Sequence, residues 1–279
     1  MTPFTTTTTR DGVRVSGPDA TTFLQGQLSQ DLDALAVSTS TWTFVLQPDG
    51  KVHTWARLTK TGADVFLLDT DAGAGEALQQ RLQRFLIRTK AEIEPVRLDG
   101  HAVRGEHLPR PDVPAGVLRL PSAHHVGYDV LGPGATAPDG VEAADPEALE
   151  VDRVVRGIPR MGAELDESVI PAEIGQWIID ESVSFTKGCY TGQELVARID
   201  SRGGNVPRQL RAIVCDAPVV AGDEITADGP TSPVTSAVVT EQHGPVALAF
   251  CGRKIEPGHV VAVGDTQGVV HELPLPVVG

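Results

Sequence analysis

The chain has 279 residues, 41% of them hydrophobic, and carries 23 Lys and Arg against 37 Asp and Glu, a formal net charge of −14. That hydrophobic share excludes a disordered chain, and because single cores stop growing at roughly 250–300 residues, two or three modest domains are expected. No apolar run approaches the roughly 20 residues a membrane span requires; only residues 1–98 come near charge balance, with 10 basic against 11 acidic, which speaks against nucleic acid as a direct ligand because phosphates are held by clustered Lys and Arg.

The opening MTPFTTTTTR lacks a basic stretch followed by an apolar one, so no secretory signal is read and a cytoplasmic location is expected; the run Thr5–Thr9 reads as a fraying terminus. In SGPDATTFLQGQL, Pro18 stands just inside a short helix with Ser16 or Gly17 as its cap and Asp19 in its first turn. TWTFVL, QPDG and KVHTWARL then read as a hairpin, and VFLLD from Val65 to Asp69 as a buried strand. Glu76 to Lys90 is the clearest helix, with Leu78, Leu82, Phe85 and Leu86 on one face and Arg81, Arg84 and Arg88 on a solvated one, or on a docking face for an acidic tail. Residues 98–145 are Pro-, Gly- and His-rich, with strand-like GVLRL and VGYDVL; Asp145-Pro146-Glu147 then starts a helix whose apolar stripe is Val151, Val154, Val155 and Ile158. Past Pro207, short β-rich runs separated by Gly, Pro and Asp predict a small barrel or sandwich, after a larger α+β part.

Cys189, Cys215 and Cys251 have no paired spacing, which argues against a disulfide framework, a zinc ribbon or a resident cluster, and no metal site is expected. Cys215 and Cys251 lie in apolar strands and read as core residues. Cys189 sits in FTKGCYTGQELVARI, between Gly188 and Gly192 and ahead of a helix, with Lys187 two residues away; a helix dipole and a cation there would depress its pKa and favour the thiolate, while an inert turn cysteine is the bland alternative. A Cys–His hydrolase would need His53, His124, His125 or His243, none of them in a local signature. Glu173, in PAEIG, is either a helix-start acid or a carboxylate for paired N–H donors of a heterocycle; Arg153 and Arg156 either pair locally or bind a ligand carboxylate.

RGIPRMGAEL, PAEIG and KGCYTGQELVAR together resemble the YgfZ-type folate-binding proteins, paralogues of the aminomethyltransferase (T-protein) of the glycine cleavage system; the KGCYxGQE string is specific to that branch, and weaker matches run over nearly the whole chain. The resemblance implies an α+β fold with two folate-cleft lobes, residues 1–98 and 99–206, followed by a C-terminal antiparallel β-barrel, 207–279. It implies non-covalent binding of tetrahydrofolate or a derivative and a part in assembling or repairing client iron–sulphur proteins, by a protein expected to be a monomer. Cys189 is carried over as the functional thiolate with Lys187 beside it, Glu173 as the pterin contact, Arg153 as a cleft residue, and Tyr190, Gln193 and Glu194 as motif members. Where T-proteins have GGxxDD, this chain has GKVHTWARL, so His53, Thr54 and Trp55 replace the folate-contacting acids. Aminomethyl transfer by the T-protein route therefore lacks its carboxylate, and a folate-dependent one-carbon transferase is the alternative reading.

Overall fold

A computed structural model describes residues 2–110, 112–227 and 231–276. The β-branched and aromatic runs of the first half form an eight-stranded sheet from β1 (Phe4–Ser16), β2 (Ser40–Leu46), β3 (Val52–Gly62), β4 (Val65–Asp71), β5 (Glu92–Arg104), β6 (Leu118–Pro121), β7 (Gly127–Leu131) and β8 (Glu142–Ala143). Its order is β2-β3-β4-β1-β5-β7-β6, with β8 parallel to the start of β1. Thr5–Thr9, expected to fray, instead lie within β1, a thirteen-residue strand that pairs along its whole length with β5. Threonine's branched Cβ suits a pleated strand, and the long partner β5, with β8 beside Thr5, holds this segment in the sheet. The predicted break after residue 98 falls inside β5, so the sheet runs without interruption through that position.

The helices are α1 (Ala20–Gln27), α2 (Gly75–Phe85), α3 (Pro146–Arg156), α4 (Gln176–Ser182) and α5 (Gln193–Asp200). Asp19 flanks α1 without capping it, because its carboxylate accepts from Lys90 N at 2.7 Å and its own N–H donates to Lys90 O. The same contact ends α2 at Phe85 rather than at Lys90. Residues 86–90 turn back toward Asp19, with Arg88 left-handed at φ 57°, so that β5 can begin. Asp145 precedes α3, Pro146 opens it, and Gly157 closes it at φ 68°.

Directly after Pro207, β9 (Arg208–Cys215), β10 (Glu224–Thr226), β11 (Ser232–Thr240), β12 (Gly244–Gly252), β13 (Val260–Val263) and β14 (Thr266–His271) close an antiparallel barrel in the order β10-β11-β12-β9-β14-β13. Residues 228–230 and 277–279 of this predicted domain lie outside the described residues. Cys215 and Cys251 are buried in the barrel core, and burial pushes both thiols up to about 11. A second core beneath the sheet joins Val13, Leu24, Phe66 and Leu68 to Leu78 and Leu82 of α2. A third joins the β2–β3 hairpin to α4 and the barrel through Phe44, Trp55, Ile178, Leu248 and Phe250.

One buried carboxylate fastens α3 to the barrel. Glu164, fully buried, accepts from Thr235 and Ser236 hydroxyls at 2.8 and 2.6 Å, and from Arg153 Nη1 and Arg160 N at 2.8 and 3.1 Å. All its acceptor directions are used, as a carboxylate away from water requires. Glu164→Ala strands Arg153 without its buried partner, and is expected to cost about 3–5 kcal/mol in urea unfolding.

Candidate functional site

The sheet carries a buried network of charges on one face. Arg57 on β3, fully buried, grips Asp69 of β4 with two bonds, Nε to Oδ1 at 3.0 Å and Nη2 to Oδ2 at 2.9 Å, and reaches Asp129 of β7 and Pro121 O through Nη1 at 2.9 Å each. Arg10 of β1 holds Asp69 at 2.9 Å and Asp71 at 2.5 Å, while Arg104 of β5 lies 2.9 Å from Asp129 Oδ1. Three arginines and three aspartates thus neutralise one another across five strands. Burial pushes the Asp129 carboxyl up, but Arg104, Arg57 and Arg10 outweigh it and hold it at about 2.

Over this floor stands a cleft of about 480 Å³, lined among others by Thr8, Trp42, Trp55, Ser122, Asp152 and Met161. Trp42 and Trp55 stack at 4.1 Å between centroids and 24° between planes, and the Arg57 guanidinium lies 5.7 Å from the Trp42 ring. Trp55 Nε1 donates to Ser182 Oγ at 3.0 Å, which fixes that indole. Three buried polar atoms of the lining have neither a hydrogen-bond nor an ion-pair partner among the described residues: Trp42 Nε1, Ser122 Oγ and Asp152 Oδ2. An indole platform with one free donor, one hydroxyl and one carboxylate oxygen suits a flat heterocycle with mixed donors and acceptors.

The KGCYTGQE stretch forms a separate loop, and its residues hold it in place. Lys187 Nζ donates to Gln25 O, Leu28 O and Gln30 O at 2.8, 2.6 and 2.8 Å, closing the carbonyl end of α1. Burial pulls this ammonium down to about 8, against the opposing pull of Asp31 and Asp33. Tyr190 is buried in the core, where desolvation pushes its hydroxyl up to about 12, and its N–H donates to Gln193 Oε1 at 3.1 Å. Thr191 N donates to Gly26 O at 3.2 Å, and Gly192, at φ 84°, packs so closely that a Cβ there would stand 2.5 Å from Gln47 O. Cys189 is turned out, as an exposed thiol three residues before the residue that begins the turn into α5.

No protein-family model matches the chain. It is 28% identical over 205 residues to an uncharacterized protein of Haemophilus influenzae, covering 74% of this chain and 71% of that one. It is 29% identical over 222 residues to the tRNA-modifying protein YgfZ of Edwardsiella ictaluri, and 30% over 238 residues to the mitochondrial iron-sulfur cluster assembly factor IBA57 of Mus musculus, covering 69% and 75% of this chain. The chain is similar in sequence to YgfZ and IBA57 proteins over most of its length. It spans 65% of the length of each of these two, slightly under two thirds. Its fold is that of the glycine cleavage system aminomethyltransferase T from Bartonella henselae, whose crystal structure matches 98% of this chain and 86% of that one with a TM-score of 0.77 at 18% identity.

Within this YgfZ- and IBA57-like frame the predicted site residues do not converge. Arg153 lines the cleft, yet its five N–H groups go to Glu150 (twice), Ile158 O, Glu164 and Ser236, so it braces the wall rather than offering a donor. Glu173 is buried outside the cleft lining: Oε1 accepts from Arg208 Nε of β9 and Oε2 from Ile170 N, both at 3.1 Å. Its two oxygens are thus taken by the barrel and by its own turn. Lys187 has committed its three N–H groups to carbonyls, Tyr190 and Gln193 shape the loop, and Glu194 is exposed in the first turn of α5. Of the residues replacing GGxxDD, Trp55 lines the cleft, Thr54 is fully buried, and His53 faces a different cavity with its Nδ1 2.8 Å from Thr54 Oγ1. Sequence reasoning missed Arg10, Arg57, Asp69, Arg104 and Asp129. The available signal was a charge inside an otherwise apolar strand, as in TWARL, VFLLD and GYDVL.

Two measurements check these assignments. The Asp129 pKa is about 2 in the folded state against an ordinary value of 3.8, so its contribution is complete above pH 3.8 and is lost as pH falls from there toward 2. Asp129→Asn is expected to remove about one proton from the acid-unfolding dependence in that window, and to cost about 3–5 kcal/mol at pH 7 by leaving the arginines short of a counter-charge. In the loop, Lys187→Met should lose about 2 kcal/mol or more, whereas Cys189→Ser, at an exposed position, should stay within about 0.5 kcal/mol in the same thermal denaturation series.

Proposed function

We propose that the protein is a folate-binding accessory factor for the assembly or repair of iron–sulphur proteins, with tetrahydrofolate or a derivative in the sheet cleft and Cys189 as its functional thiol. The observation that carries the folate half is the stacked Trp42–Trp55 platform beside three buried, unpartnered polar atoms. In this reading the pterin lies against the stacked Trp42–Trp55 pair, and Ser122, Asp152 and Trp42 Nε1 take its donors and acceptors. The charge-balanced floor beneath them keeps the platform rigid without offering its own carboxylates. Bound folate would supply a carrier for a one-carbon unit; the protein's residues bind it, orient it and exclude water. Support for the iron–sulphur half comes from the name of the mouse relative and from the loop that offers up Cys189, and the clients would be iron–sulphur proteins.

The transferase alternative draws on one observation, the free Asp152 Oδ2 at the cleft, since a carboxylate with an open acceptor position is what proton handling on a folate nitrogen requires. Arg156 Nε donates to the other oxygen, Oδ1, at 2.7 Å, which fixes the carboxylate in place and favours a binding role.

Titration calorimetry with tetrahydrofolate tests the first half: binding with one site per chain is expected, weakened at least about tenfold by Trp42→Ala, since loss of a stacking face and its N–H together amounts to about 1.5 kcal/mol or more. Absence of binding to the wild type would sink the folate assignment. The second half is tested by activities of iron–sulphur enzymes in cells whose only copy is Cys189→Ser; a fall matching that of the deletion is expected, and wild-type activities would overturn the thiol's role. Turnover with a lipoyl-bound aminomethyl donor would instead favour the transferase.

A further inference from the structure

The other large cavity next to the hairpin, about 810 Å³, is lined by Gln47, Asp49, His53, Arg81, Arg84 and Glu167 among others. Arg81 was expected on a solvated helix face but is only 6% exposed. Its guanidinium donates to two neutral acceptors, Gln27 Oε1 and Leu46 O, both at 3.1 Å, and sits 3.9 Å from the Phe85 ring. Among the described residues no carboxylate lies within 4.0 Å of it, and three of its five N–H groups have no protein acceptor. A buried cation without a counter-charge is costly, and an anion in the adjoining cavity removes that cost. Of the two acids of the lining, Glu167 accepts from the neutral Gln47 Nε2 at 2.9 Å through Oε1, and Asp49 accepts from Lys51 N at 3.2 Å and faces Lys51 Nζ at 3.5 Å. Burial and the neighbouring Arg84 both lower the proton affinity of Arg81, the signature of a cation in want of an anion.

The cavity also adjoins the cysteine loop. Arg81 holds residues 27 and 46; Thr191 N bonds Gly26 O, and a Cβ on Gly192 would stand 2.7 Å from Leu46 Cβ and 2.5 Å from Gln47 O. Arg81 and the loop that presents Cys189 therefore grip the same two short segments.

We propose that Arg81, Arg84 and His53 form an anion-binding site, distinct from the sheet cleft and adjoining the Cys189 loop, that takes a small ligand carrying carboxylate or phosphate oxygens. It does not depend on folate in the cleft. Such a site would hold the charged end of a molecule whose other end approaches Cys189.

The full chain is titrated calorimetrically with pyrophosphate and, separately, with citrate at fixed ionic strength. At least one is expected to bind one per chain, and which of them binds tells phosphate from carboxylate. Arg81→Gln should weaken binding at least about tenfold and the exposed Arg84→Glu at least about fivefold; the second variant keeps the test valid if the first fails to fold. Cys189 alkylation supplies an independent reading, because the other two cysteines are buried. The rate ratio of anionic iodoacetate to neutral iodoacetamide should fall at least about threefold in Arg84→Glu and under saturating anion. If neither anion binds at about 10 mM, or both bind Arg84→Glu as they bind the wild type, the site is refuted. An unchanged alkylation ratio refutes its adjacency to Cys189.

Discussion

Arg57 is the pivot of the molecule. A fully buried guanidinium is tolerable only when its donors are matched, and matching them draws Asp69, Asp129 and the Pro121 carbonyl into one plane beneath the cleft. Those partners sit on β4, β7 and the end of β6, so the strand order β4-β1-β5-β7 is spanned by one side chain and its counter-charges. Arg10 and Arg104, on the two strands in between, complete the balance. The Trp42 ring lies within 6 Å of both Arg57 and Arg10, so the platform inherits its orientation from the charge network.

The loop follows the opposite economy. Its string of Lys, Tyr, Gly and Gln is consumed in internal work: a carbonyl clamp, a core anchor, a close backbone approach and a side-chain bond back to Tyr190 N. What is left on the surface is the Cys189 thiol, with the Glu194 carboxylate in the first turn of α5. A residue beside a nucleophile in sequence need not act on it, and Lys187 illustrates why: its ammonium finds three carbonyls at the end of α1 and bonds all of them.

Much of the architecture was legible. The hairpin, β4, α3 with its Pro146 start, and the change to a barrel after Pro207 all follow from period, turn chemistry and capping, and the structure has each of them. Thr5–Thr9 and the end of α2 were not legible, for one reason. A threonine run has strand propensity but no apolar alternation to announce it, and the last turn of α2 loses to the pairing of Lys90 with Asp19, seventy-one residues earlier in the chain. The site was less legible than the fold, because Glu173 and Arg153 are matched by partners on β9, β11 and the 158–164 segment that no local pattern names.

By itself the sequence determined the classes of element, the two structural cysteines of the barrel and the prominence of Cys189, since burial tendency and local turn chemistry are encoded within a few residues. The tertiary structure alone decided which charges cancel and which remain open. Arg57, Arg153 and Lys187 are spent because folding brings acceptors to them from distant segments, whereas Arg81, Asp152 Oδ2 and Trp42 Nε1 keep bonding capacity because no such acceptor or donor arrives. That difference depends on hydrogen-bond distances of about 3 Å between residues far apart in the chain, which composition and periodicity do not specify.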